Sequence, residues 1–203
     1  MNNQKMAQAG LAIVLGIVSA FAAFAADLNY SRYARDLIAQ AVKTGPSGYT
    51  RLTIKNPQNG AVGAAEQVAR NGDPKDAAEI MIEVAQALIG FANITPKDYK
   101  GHPTQASFYC YAMDELNASL KYIDQLAKTD PRGASDLAIR VATVLANANP
   151  PTKDLRNSFR YGAQTILTGG VSAASAHAQK ITDPAVRKAQ LAKIENQRKA
   201  LEL

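Results

Sequence analysis

The chain has 203 residues, 23 Lys and Arg against 17 Asp and Glu, and a formal net charge of +6, which is long enough for one well-buried domain beside a leader segment. The absence of tryptophan, 6% aromatics and the many alanines favour closely packed helices over a sheet sandwich. The positive excess is mild and spread along the chain, so it lacks the clustered footprint of a nucleic-acid binder. A single cysteine excludes an internal disulfide.

Residues 1–25 read as a localisation signal. Lys5 supplies a short positive region, and GLAIVLGIVSAFAAFAA over Gly10–Ala26 is uncharged and mostly apolar. Ala23-Phe24-Ala25 has the small-x-small pattern of a signal-peptidase site, with cleavage before Ala26. A retained anchor competes with this, because the uncharged run over 6–26 approaches the ~20 residues that span a bilayer. Its alanines and glycines make it weakly hydrophobic, which favours the cleaved signal. Both readings put the body outside the cytoplasm, periplasmic or secreted, with an inner-membrane anchor as the variant. Without residues 1–25 the charge falls only to +5, since Lys5 is their one charged residue.

Residues 26–72 form a first region. DLNYSRYARDLIAQAVK over Asp27–Lys43 is amphipathic, with Tyr30, Tyr33, Leu37, Ile38 and Val42 on one stripe. Thr44-Gly45-Pro46-Ser47-Gly48 breaks it. YTRLTIK over Tyr49–Lys55 is the one strand-like run, but a lone strand leaves its edges unpaired, so an extended loop is expected. A short helix over Ala61–Arg70 follows.

Residues 73–203 carry an internal repeat. DPKDAAEIMIEVAQALIGFAN from Asp73 recurs as DPRGASDLAIRVATVLANAN from Asp130, 57 positions on, with Pro74/Pro131, Ala77/Ala134, Ile82/Ile139, Val84/Val141, Ala85/Ala142 and Leu88/Leu145 identical. Each copy opens with a capping aspartate and a proline at the first helical position, where no N–H is needed. Second helices are expected from about Thr104 to Lys128 and, after Asn149-Pro150-Pro151, from about Lys153 to Ile181. Thr182-Asp183-Pro184 opens a third capped helix to the C-terminus. The spacing therefore predicts an all-α fold: a helical bundle of two tandem α-hairpin units plus a C-terminal helix, preceded by the export or anchor helix.

Within the repeat, Asp76, Glu79 and Glu83 form a polar line on the first helix, and Asp136, Arg140 and Thr143 form one on its copy. The wide apolar remainder, Ile80, Val84, Leu88 and Phe91 against Leu137, Val141 and Leu145, must bury against several neighbours. Gly169-Gly170 implies either a kink or a close backbone neighbour, and close packing is expected. The last helix sets Val186, Leu191, Ile194 and Leu201 against Arg187, Lys188, Lys193, Arg198 and Lys199. It reads as a solvated capping helix before it reads as a membrane-surface one.

Chemistry has few carriers here. His102 and His177 are the two histidines, and no H-x-x-x-H, C-x-x-C-H, G-x-S-x-G or Gly-rich phosphate loop occurs. No catalytic or metal-ligating set emerges, and no cofactor is assigned. His177, which a methionine such as Met81 or Met113 would have to join at a haem iron, and Cys110, an unpaired exported thiol, are the cofactor-site candidates. Cys110 is expected as a partly buried small hydrophobe, Tyr109 and Tyr111 as core or interface aromatics, and Asp114-Glu115 as solvated surface. The expected function is a non-enzymatic structural or accessory subunit of a cell-envelope or membrane-associated assembly. It would have protein partners, membrane contact through residues 6–26 and no nucleic acid. The alternative is a periplasmic carrier holding a small ligand, haem or pigment around Gly169–Ala178.

Overall fold

The computed structural model describes residues 29–148 and 153–201, with backbone alone at 153–161. The expected signal or anchor over 1–26 and the breaker at 149–151 lie outside the described residues. Eight α-helices make up most of what is described: α1 (Tyr30–Thr44), α2 (Thr50–Thr53), α3 (Ala61–Arg70), α4 (Pro74–Ile94), α5 (Gln105–Leu126), α6 (Pro131–Asn147), α7 (Lys153–Gln179) and α8 (Pro184–Ala200).

The first turns explain where these helices begin. At each of the three Asp-Pro starts the aspartate side chain accepts from an orphan N–H: Asp73 from Asp76 at 2.9 Å, Asp130 from Gly133 at 2.8 Å, and Asp183 from Ala185 and Val186 at 2.8 and 3.0 Å. Proline follows every time. α5 starts on a capping box between Thr104 and Ser107. Buried Gln105 then donates to the carbonyls of Ala92 and Thr95 at 3.0 and 3.3 Å, tying the start of α5 to the end of α4.

Tyr49–Lys55 is neither strand nor extended loop. A 3-10 turn at Pro46–Gly48 leads into α2. The alternating pattern loses to a helical pair, Tyr49 and Leu52, three residues apart on one side. Leu52 is fully buried. The Tyr49 ring stacks on Tyr111 with centroids 6.3 Å apart and meets Phe108 edge-on at 6.1 Å. The start of α3 then slides under the residues after α2. A Cβ at Gly63 would collide with the Lys55 carbonyl, and the Gly63 N–H donates to Ile54 O at 3.2 Å. In α1 the buried side chains are Tyr30, Ala34, Leu37 and Ala41. Val42, expected on the inner stripe, is 54% exposed, because the two alanines let α1 approach on a neighbouring line.

α4 packs chiefly on α5 and α6 chiefly on α7, with α1 and α3 covering α4 and with α8 across α6 and α7. Ile80, Val84, Leu88, Val141 and Leu145 are buried to 1% exposure or less, and Leu137 and Phe91 nearly so. Each such side chain removed from water is worth about 1.5–3 kcal/mol. Among the described residues α4 is the one helix long and apolar enough to cross a bilayer, yet eleven of its side chains face protein. α7 runs through Gly169-Gly170 as one helix. Gly170 lies against α6, where an added Cβ would come within 3.0 Å of the Ala138 carbonyl oxygen, while one at Gly169 would meet nothing within 4 Å.

Candidate functional site

Cys110 lies on the outer line of α5 with Asp114, Asn117 and Lys121, all exposed. The partly buried position expected for it is therefore corrected: the helix turns its Phe108 and Tyr109 side inward and leaves the thiol in water. Tyr109 is buried, with its hydroxyl donating to Asn93 Oδ1 at 2.6 Å. Tyr111 is half-buried on Tyr49.

His177 is at the other end of the bundle. Its side chain is 5% exposed, with Nε2 3.1 Å from Asp124 Oδ1. That approach lacks hydrogen-bond alignment, and neither ring nitrogen has a hydrogen-bond partner. Burial holds its pKa below the ordinary histidine value, with Lys180 adding to the effect and Asp124 opposing it. A depressed pKa means that the fold favours neutral imidazole, so this contribution to stability is present above about pH 6.5 and is lost as pH falls below it. Asp124 lies 14 positions after Cys110, about 21 Å along α5. Met113 touches Gly162, 15 positions before His177 on α7. Neither Cys110 nor Met113 therefore reaches the imidazole, and the two candidate residues are not brought together. Among the described residues no three His, Cys, Asp or Glu side chains gather as metal ligands.

Asp114 and Glu115 part company. Asp114 is exposed, whereas Glu115 is half-buried. Burial pushes its carboxyl up to about 7, helped by Asp114 and Glu66 and opposed by Lys55. The solvated reading of Glu115 is thus corrected: one helical step, about 100°, turns it from water toward the α3 side of the bundle.

The polar lines of α4 and α6 are both occupied by a flanking helix. Arg35 of α1 donates to Asp76 at 2.6 Å and Glu83 at 3.3 Å, stands 3.8 Å from Glu79, and also holds Ser31 Oγ at 2.8 Å. On α6, Asp136 accepts from Gln190 at 2.8 Å and Lys193 at 2.7 Å, while Gln197 donates to Thr143 at 3.2 Å. Gln190 also donates to buried Ser135 at 3.0 Å. The buried amide of Gln190 gave no signal in sequence. The apolar residues of α8, Val186, Leu191, Ile194 and Leu201, all pack on the core, so its outer face offers charge alone.

A cleft of about 710 Å³ opens where the end of α5, the start of α6, the end of α7 and the start of α8 meet. Lys128, Arg132 and Lys180 stand around it, exposed and without an ion pair. Asp130 is the one acid on its lining, and one of its oxygens is committed to capping α6. A second groove of about 260 Å³ shares Arg132 and Val186 with the cleft and continues to Lys193. This arrangement has donors and positive charge but no nucleophile paired with a base.

The chain matches no protein-family model, and no similar curated protein or solved structure was found. The site is read from its own residues.

Proposed function

We propose that this chain is a non-enzymatic exported helical-bundle protein, a structural or accessory subunit of a cell-envelope or membrane-associated assembly. Two tandem α-hairpins, α4–α5 and α6–α7, form its body, α1 and α8 clasp them, and the apolar segment over 6–26 directs export or tethers the chain. The observation that carries the reading is the close approach of Gly170 to α6, where an added Cβ would sit 3.0 Å from the Ala138 carbonyl oxygen and enter only if that neighbour gave way. Ala138, Ala142, Ala174 and Ala178 around it are fully buried, so the bundle interior is occupied by the protein's own small side chains. Recognition is left to surfaces, among them Ile94 at the end of α4 and Tyr99 on the loop that follows, 65% and 50% exposed.

The test is gentle purification of the full-length chain from native membranes and periplasm, with intact-mass analysis. The reading predicts a co-purifying protein subunit at fixed stoichiometry, and a solitary monomer in both fractions would contradict it. The alternative, a small-ligand or haem carrier, draws on buried His177, whose Nδ1 has no hydrogen-bond partner. An absorbance band beyond the protein envelope in the same preparation would favour the carrier.

A further inference from the structure

We infer that the trough running from the cleft at the α5–α8 junction along α8 is a docking site for an extended acidic segment of a partner protein. The inference rests on the subunit reading above and names the chemistry of the partner. Four exposed cations mark the trough: Lys128 after α5, Arg132 in the first turn of α6, Lys180 after α7 and Lys193 midway along α8. They come from four separate stretches of chain. Three have no ion pair, and Lys193 is already matched to Asp136. Holding three unpaired cations near one another is unfavourable for the isolated chain and is relieved by an incoming anion.

Shape selects the kind of anion. A compact phosphate needs donors converging on one point from a shielded pocket, whereas these are exposed and spread over a cleft and the groove adjoining it. From Pro184 to Lys193 is nine helical steps, about 13.5 Å, which is the span of roughly four residues of extended peptide. Pro131, Ile181 and Val186 give the cleft an apolar floor between the charges. A segment alternating carboxylates with aliphatic side chains matches both features, and the fork of Arg132 suits a carboxylate held by two parallel hydrogen bonds. The apolar side of α8 is spent on the core, which removes the insertion surface that membrane docking requires.

The experiment uses the full-length protein and a fluorescein-labelled Asp-Leu-Glu-Ile-Asp peptide, with Asn-Leu-Gln-Ile-Asn as its neutral counterpart, followed by fluorescence anisotropy. Saturable binding of the acidic peptide is expected. It should weaken at least tenfold in the triple variant Lys128→Glu, Arg132→Glu, Lys180→Glu and stay unchanged in Lys97→Glu, which lies on the loop at the far end of the bundle. A triple alanine variant replaces the glutamates if the first does not fold. Equal binding of the neutral peptide, an equal loss in Lys97→Glu, or saturable binding of inorganic phosphate or phosphatidylserine vesicles without peptide binding would each overturn the proposal. Co-purification separates this failure from that of the subunit reading: an unmutated chain that keeps its subunit and binds no acidic peptide sinks the trough alone.

Discussion

Glu115 is the residue where burial and charge are most at odds. Its carboxyl, pushed up to about 7 from 4.5, makes the fold favour the protonated form. Stability from this group is therefore full below about pH 4.5 and lost as pH rises through 7. The whole shift corresponds to about 3 kcal/mol, and partial exposure reduces that to ~1–2 kcal/mol. Glu115→Gln should stabilise the protein by that amount at about pH 8.5 and leave it nearly unchanged at pH 4, as read by urea unfolding at both values. An equal effect at both pH values would assign the change to packing instead. Sequence offered Asp114-Glu115 as a pair of solvated carboxylates, and the half that failed did so for a positional reason. Which of two adjacent helical residues turns inward is set by the packing of α3 on α4 and α5, which no local pattern encodes. Cys110 departs in the opposite direction: expected partly buried, it lies in water on the exposed line of Asp114, Asn117 and Lys121.

At the scale of elements, the three Asp-Pro helices are legible in sequence because each starts with chemistry that works within one turn. Asp73, Asp130 and Asp183 cap their own first N–H groups, so the starts of α4, α6 and α8 are local facts. The run Tyr49–Lys55 was misread because its alternation imitates a strand while its anchor, the Tyr49 ring on Tyr111 and Phe108, lies some sixty residues away. The clasps were half legible. The polar lines of α4 and α6 stood out, but Arg35 and Gln190 as their partners are tertiary matters. α7 carries a sharp test of close packing. Gly169→Ala should stabilise the protein by up to ~1 kcal/mol, since it gains helix propensity in open space. Gly170→Ala should cost about 1–3 kcal/mol, because its methyl group forces the Ala138 carbonyl away. Two thermal melts decide this, and equal signs at the two positions would contradict the packing of α7 on α6.

For the molecule as a whole, the repeat matters because it gives α4 and α6 wide apolar faces that are buried in one core. α4 presents Ile80 and Val84, α6 presents Leu137 and Val141, and all four are enclosed. Met113 against Gly162 and Asp124 against His177 follow one another in the same order along α5 and α7, so those two helices run parallel. α1 on α4 and α8 on α6 then use one device twice: long polar side chains reaching a carboxylate on the helix beneath. α8 has only Gln190 and Ile194 fully inside, which makes it the least anchored of the long helices whose burial is described. The measurement that bears most directly on this architecture is native-state hydrogen exchange resolved by peptide. Slowest exchange is predicted for the middles of α4 and α6 together, at one shared opening free energy, with α8 and the loop at 95–104 exchanging far sooner. Unequal protection, with the α6 amides exchanging as freely as the loop, would contradict a core shared by α4 and α6.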